Sequence, residues 1–192
     1  MKDHPYASRG GVKLEHALRE FKVEVKDKIV LDVGSSTGGF TDCLLQNGAR
    51  QVYAVDVGYG LLAWKLRKDP RVKVVERTNI RYLKLEDLGL KTPAIEISTI
   101  DVSFISLSKV LPTVYNLLVE KGQVIALIKP QFEARREQVG RGGIVRDEGV
   151  HNEVIEKVKK AAQSMGFTVA GVTTSPITGT EGNIEFFVYL IK

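Results

Sequence analysis

Four groups of residues in this 192-residue sequence have the types and spacing to do chemistry. The first is the loop in Val30-Leu-Asp-Val-Gly-Ser-Ser-Thr-Gly-Gly-Phe40. There an apolar run passes through Gly34, Ser35, Ser36, Thr37, Gly38 and Gly39 into a helical pattern. Glycines let a ligand approach the backbone closely, and the start of the following helix offers free N–H groups. The spacing narrows the ligand. A P-loop ends in Gly-Lys-Ser/Thr, whereas Gly39 is followed by Phe40, which disfavours nucleoside triphosphate hydrolysis. A dinucleotide fingerprint wants glycine where Ser36 stands, and Asp32 would sit awkwardly near a pyrophosphate. An acid before the first glycine suits a positively charged ligand. S-adenosylmethionine carries a sulfonium and an ammonium, around which Asp32 would attract or order water. The competing reading is a tight strand-to-helix turn without a ligand.

The second group is Asp56, ending the next apolar run about 20 residues on, the usual place for an acid that binds ribose hydroxyls. Val57 and Asn79, with the loop and Phe40, complete the candidate cofactor contacts. The third is a pair of ionisable residues closing apolar runs: Asp101 after Ser-Thr-Ile, and Lys129 after Val-Ile-Ala-Leu-Ile. In a parallel sheet these ends share an edge with the glycine loop, so Asp101 counts as both a cofactor and a catalytic candidate. A lysine there is costly to bury unless paired, and burial or a neighbouring cation lowers a lysine's pKa toward neutrality. A neutral amine is a competent general base for a hydroxyl. A ribose 2′-hydroxyl attacks only once its proton is removed or its charge stabilised, so the arrangement suits O-methylation. The alternative for Lys129 is a strand-end cation reaching into solvent. Amino methylation of a base is disfavoured because no Asn/Asp-Pro-Pro-aromatic string is present. Carbon methylation of a pyrimidine needs a cysteine, and the single Cys43 reads as a core residue.

The fourth group is residues 131–149, where Arg135, Arg136, Arg141 and Arg146 interleave with Gly140, Gly142 and Gly143. Arginines on a glycine-rich loop beside a catalytic edge suit phosphates, so the stretch is expected to contact RNA and act as a lid. Glu133, Glu137, Asp147 and Glu148 nearly cancel its charge. Arg9 and the cluster at Lys65, Arg67 and Lys68 are weaker extensions of that surface. Phe132 is the aromatic assigned to stacking on a base, while Tyr6, Phe40 and Phe104 read as core. His4, His16 and His151 form no metal pattern, and no metal is expected.

The elements that must position these residues alternate between strand and helix. Residues 28–33, 51–57, 72–75, 95–102 and 122–129 read as buried strands. Residues 12–21, 39–47, 61–67, 107–120 and 152–165 read as helices, and 167–174 with 184–191 as an antiparallel closing pair. Alternation of this kind predicts an α/β fold: a mainly parallel, Rossmann-like sheet with an antiparallel strand near the C-terminus and helices on both faces. Without repeat or linker, the whole of residues 1–192 reads as one domain. The stretch 131–149 is the one long irregular segment.

Composition bounds the rest. The sequence is 43% hydrophobic and 27% charged, with 28 Lys and Arg against 23 Asp and Glu, a net charge of +5. That is a globular composition; one cysteine excludes a disulfide framework and Cys-rich zinc sites. No apolar run approaches the roughly 20 residues that span a bilayer, and the N-terminus lacks the apolar core of a signal peptide. A cytoplasmic protein is expected. The charge permits a nucleic-acid partner without establishing one.

Six strings, taken together, carry a family resemblance: Ser8-Arg-Gly-Gly-Val-Lys-Leu14, Asp32-Val-Gly-Ser-Ser-Thr-Gly-Gly-Phe-Thr-Asp42, Ile100-Asp-Val-Ser-Phe-Ile105, Ile128-Lys-Pro-Gln-Phe-Glu133, Gly142-Gly-Ile-Val-Arg-Asp147 and Gly182-Asn-Ile-Glu-Phe-Phe187. On them the chain resembles the haemolysin-labelled TlyA family, whose catalytic domain is similar to FtsJ/RrmJ-type ribose 2′-O-methyltransferases. The resemblance implies a Lys-Asp-Lys-Glu catalytic set, falling on Lys13, Asp101, Lys129 and Glu185. Lys129 would then be the base, or lower the hydroxyl pKa, with Asp101 and Lys13 setting its charge and position and Glu185 orienting the set. It implies S-adenosylmethionine as cofactor, no metal, and cytidine riboses of ribosomal RNA or ribosomal subunits as substrate. Family members also carry an N-terminal S4-like RNA-binding domain, and this chain resembles the catalytic domain without it.

Three other functions compete. A membrane-lytic protein, as the haemolysin label suggests, is opposed by the missing spanning segment, barrel alternation and signal peptide. A non-catalytic RNA-binding module retaining the fold would bind no methyl donor. A nicotinamide-dependent oxidoreductase conflicts with Ser36 in the loop. Neither the modified nucleotide nor the oligomeric state is legible in the sequence.

Overall fold

The computed structural model describes residues 4–192. Seven strands form one sheet: β1 (Ile29–Val33), β2 (Gln51–Val55), β3 (Val72–Val75), β4 (Ile95–Ile100), β5 (Leu118–Ile128), β6 (Thr168–Thr174) and β7 (Phe186–Ile191). Their order across the sheet is β3-β2-β1-β4-β5-β7-β6. The first five are parallel, while β7 runs antiparallel to both β5 and β6. The closing pair was expected; the insertion of β7 between β5 and β6 was not. Burial explains it. Phe187, Val188 and Leu190 are fully buried, whereas no residue of β6 is, so the more apolar strand takes the interior place and β6 the edge.

Helices cover both faces. On one lie α1 (Gly10–Phe21), α2 (Gly39–Gln46) and α3 (Trp64–Arg67), whose Leu14, Leu18, Phe40, Leu44 and Leu66 pack on Val30, Val52, Ile97 and Leu127. On the other lie α4 (Leu111–Leu117) and α6 (Glu148–Ser164), packed on Leu31, Val33, Val55 and Ile100. Alternation along β1 therefore sends Val30 and Asp32 toward α2, and Leu31 and Val33 toward α4.

Three segments differ from their sequence expectation. The helix expected over 61–67 is only Trp64–Arg67. The one expected over 107–120 becomes a 3₁₀ turn at Leu107–Lys109 and then α4, with Pro112 in its first turn where no N–H is needed. The chain turns straight into β5 at Leu118. The irregular stretch 131–149 shrinks as well. A short helix α5 (Pro130–Glu133) and two 3₁₀ turns occupy its first part, and α6 begins at Glu148 rather than 152. The Asp147 carboxylate accepts from Val150 N at 3.1 Å, capping α6 one turn earlier than periodicity suggested. Among the described residues no helix is long and apolar enough to cross a membrane.

Candidate active site

The site is built where β1 and β4 end. Gly34 has φ +83°, and a Cβ there would stand 2.2 Å from the Asp101 carbonyl oxygen, so only glycine lets these strand ends converge. Gly34 N and Ser35 N donate to Val55 O at 2.8 and 3.1 Å, and Asp101 N donates to Val33 O at 2.9 Å. Asp56, just past β2, accepts from Ser36 N and Gly58 N, each at 2.8 Å, through different carboxylate oxygens. One acid thus shapes the glycine loop and its own turn.

Two adjoining clefts open on this edge. The first, of about 820 Å³, is lined by Gly34, Ser36, Asp56, Val57, Asn79 and Asp101, with Leu61, Ile80 and Ile105 as apolar wall. The second, of about 700 Å³, is lined by Ser35, Thr37, Gly39 and Phe40 on one side and by Arg9, Lys13, Lys129 and Glu185 on the other. Gly34, Ser36, Asp101, Ser103, Phe104 and Phe132 border both.

The second cleft holds two cation–anion pairs. Lys129, closing β5, places Nζ 2.6 Å from Asp101 Oδ1 as an ion pair and donates to Ser103 Oγ at 3.0 Å. Lys13, on the inner face of α1, donates to Glu185 Oε2 at 2.5 Å. Only 11% of the Lys13 side chain is accessible, and 3% of that of Glu185. Gly179 makes room for Glu185, since a Cβ there would lie 2.5 Å from Oε1. Buried ion pairs contribute little net stability against their desolvation cost. One pair is buried and the other half-buried, and together they make this cleft the candidate catalytic site.

Several sequence candidates fall elsewhere. Asp32 and Gly38 line neither cleft. Asp32 is fully buried on the α2 face, accepting from Thr41 Oγ1 at 2.6 Å and Thr99 Oγ1 at 3.1 Å. Burial pushes its carboxyl up to about 7, against the two hydroxyls that hold it down, with Asp101 adding to the rise. Lining neither cleft, it faces α2 and not the space open to a cofactor. Gly38 packs under Leu66 of α3. Cys43 is buried, which pushes its thiol up to about 12; it is a core residue, as the sequence suggested.

The stretch 131–149 meets the second cleft through Gln131, Phe132, Val139 and Gly143, not through its arginines. Arg135 pairs with Glu137 and Glu153 at 3.7 and 3.6 Å, and none of Arg135, Arg136, Arg141 and Arg146 borders a cleft. Nor is the stretch a free lid. The fully buried Asn183 amide clamps it, accepting from Val145 N at 2.9 Å and donating to Gly143 O at 2.9 Å. Arg9 alone of the RNA candidates' cations borders the second cleft. Glu133, counted among the acids that offset the loop's charge, is buried and accepts from Ser106 Oγ at 2.7 Å and Leu107 N at 2.6 Å, fastening the loop after β4 to α5. Of the aromatics, Tyr6 and Phe40 are core, as expected. Phe104 is not: it is 90% exposed, with φ +63°, its ring 4.9 Å from that of half-buried Phe132. Sequence reasoning missed Phe104, Ser103, Glu133 and Asn183. All four lie within the strings that carried the resemblance, which was their only signal.

Comparison with known proteins agrees with this geometry. The profile of the FtsJ-like methyltransferase family matches residues 6–192. The chain is 58% identical over 185 residues to the YqxC protein of Bacillus subtilis, covering 96% of this chain and 65% of YqxC. It thus spans just under two thirds of that relative's length. It is 44% identical to the 16S/23S rRNA (cytidine-2′-O)-methyltransferase TlyA of Mycobacterium tuberculosis, over 98% of this chain and 69% of that protein. A solved structure from Lactococcus lactis, of a protein bearing a hemolysin name, is 57% identical with a TM-score of 0.93, covering 97% of this chain and 88% of that one.

Proposed function

The chain belongs to the FtsJ-like methyltransferase family, and from that premise we propose that it transfers the methyl group of S-adenosylmethionine to a ribose 2′-hydroxyl, on a cytidine of ribosomal RNA. The observation that carries this reading is the Lys129–Asp101 pair, backed by Lys13–Glu185, in a cleft that shares a border with the one holding Asp56 and Asn79.

The first cleft fits the cofactor's nucleoside. After accepting two backbone N–H groups the Asp56 carboxylate keeps lone pairs for a ribose diol. Asn79 accepts from Arg81 N at 3.1 Å and retains its amide donors. Val57, Leu61, Ile80 and Ile105 offer apolar contact to a base. S-adenosylmethionine supplies, when bound, an electrophilic methyl group on a positively charged sulfur.

The residues of the second cleft supply the rest. Lys129 Nζ faces the 2′-hydroxyl, and takes its proton or holds the negative charge that builds on the oxygen. Asp101 and Ser103 keep Nζ aimed. Lys13 and Glu185, each fixed by the other, orient the ribose from α1 and the start of β7. Arg9 lies where a phosphate would enter, and Phe104 offers an open ring to the target base. The reaction asks for alignment of oxygen, carbon and sulfur, so positioning supplies much of the rate. A ribosomal substrate, as free RNA or assembled subunits, puts this activity in the cytoplasm.

Transfer of a tritiated methyl group to ribosomal RNA and to subunits tests the proposal. Lys129→Ala is expected to lower transfer by about 10²- to 10⁴-fold, while calorimetry shows S-adenosylmethionine binding unchanged. Equal transfer by the variant and the wild type would remove the mechanism.

A further inference from the structure

The net charge of this chain is concentrated in one stretch. Residues 57–84 hold eight Lys and Arg against two Asp and Glu, a net of +6 where the whole chain nets +5, so the remainder is slightly acidic. The same stretch exposes three aromatic side chains: Tyr59, Trp64 and Tyr82 are each about two-thirds accessible. A cation lies over every one of them. Arg77 sits 4.1 Å from the Tyr59 ring centroid, Lys68 4.8 Å from that of Trp64, and Arg81 5.1 Å from that of Tyr82. Other cations of the stretch are paired with acids: Lys65 with Asp42, Arg67 with Glu76, Arg71 with Asp69. Lys68, Arg77 and Arg81 have no carboxylate partner among the described residues.

This surface borders the first cleft and reaches the second through a backbone contact. Val57, Leu61 and Arg81 line the one that holds Asp56. Ala63 N donates to the carbonyl of Thr37 at 3.2 Å, and Thr37 lines the cleft of the paired lysines. The rim is also held in place. Glu76 accepts from Gly60 N at 3.0 Å and pairs with Arg67, tying the turn that carries Tyr59 to the end of β3.

We infer that this rim is a docking surface for single-stranded RNA, the part of the substrate strand that leaves the methylated nucleotide, with bases stacking on Tyr59 and Trp64 and phosphates meeting Lys68 and Arg77. The inference rests on the RNA-methyltransferase reading of the adjoining clefts. Every base has a face that stacks on an aromatic ring, and each phosphate that meets a cation releases condensed counterions. The net of +6 over this stretch favours a polyanion over a protein partner. An RNA strand uses ring and charge together. The stretch 131–149, by contrast, sets four acids against its four arginines and carries no net charge.

Trp64 is the only tryptophan, so its fluorescence reports on this rim alone. The full chain is titrated with a short mixed-sequence oligoribonucleotide, following Trp64 emission and, with a labelled strand, anisotropy; S-adenosylmethionine binding is measured in parallel by calorimetry. Saturable quenching with the same midpoint as the anisotropy is expected. Trp64→Ala should weaken RNA binding about tenfold. Lys68→Ala and Arg77→Ala should each flatten the salt dependence of log K by about 0.7, with melting temperature and cofactor affinity unchanged. RNA binding that leaves Trp64 emission constant, with variants binding as wild type, would overturn the docking surface and leave the methyltransferase reading standing. A Trp64 change that follows protein concentration without RNA would overturn it in favour of a second copy of this chain. Loss of cofactor binding by the wild type would instead sink the methyltransferase reading, and with it the path of the strand.

Discussion

Each lysine of the second cleft faces one carboxylate, and that arrangement holds charge without surplus until substrate arrives. Phe104 stands at its mouth with nothing packed on most of its ring. Base stacking on an aromatic ring is worth about 1–3 kcal/mol, so Phe104→Ala is expected to lower kcat/KM for RNA about tenfold or more. Its melting temperature should not change, because an exposed ring contributes little to the fold; a fall in stability with transfer intact would contradict the role. Asp32 gives a prediction of another kind. Its carboxyl is raised to about 7 in the fold, against about 3.9 in an unfolded chain. Between about pH 4 and pH 7 the folded chain keeps a proton that the unfolded chain releases, so this group's contribution to stability falls as pH rises through that window and is constant above it. Asp32→Asn cannot ionise and should lose that slope. Urea midpoints should therefore favour the variant more at pH 8 than at pH 5, and parallel pH curves for the two proteins would refute it. Asp32 was legible as a functional acid by its place before Gly34. Its direction was not, because alternation along β1 aims it at α2 and away from the clefts.

At the scale of elements, the site depends on fastenings between loops. Asn183 joins the turn ahead of β7 to residues 143–145, and its removal leaves the buried Val145 N–H and the Gly143 carbonyl without partners. Asn183→Ala is expected to cost about 3 kcal/mol. Amide exchange at residues 143–146 should accelerate beyond the global change, and uniform acceleration across the sheet would argue against a local clamp. Helix and strand positions were largely readable, since apolar period and glycine punctuation are local. Boundaries failed where capping or proline chemistry overrode period, as at Asp147 and Pro112. The fastening of 131–149 was not legible because its anchor, Asn183, lies up to 40 residues away in sequence.

For the molecule as a whole, the position of the charge matters more than its sum. The cations proposed to meet RNA lie on one rim, so affinity should be modest and strongly salt-dependent. With three to five phosphate contacts, log K against log salt for a single strand should slope at about −2 to −3.5. Arg136→Ala and Arg141→Ala should leave that slope unchanged. A slope that collapses in those variants would return RNA binding to the arginine stretch.

The sequence by itself determined the alternation of strand and helix, the glycine loop, and the acid or lysine closing each of β1, β2, β4 and β5. These are local signals, and in a parallel sheet the carboxyl ends necessarily share an edge, so Asp56, Asp101 and Lys129 could be brought together on paper. Lys13 and Glu185 were reached only through the family's strings; they are 172 residues apart, and nothing local pairs them. The tertiary structure alone decided that pairing, the place of β7 inside the sheet, the inward turn of Asp32 and the exposure of Phe104. Each depends on strand register and on which face of an element is covered, and those are properties of the packed chain and not of any segment within it.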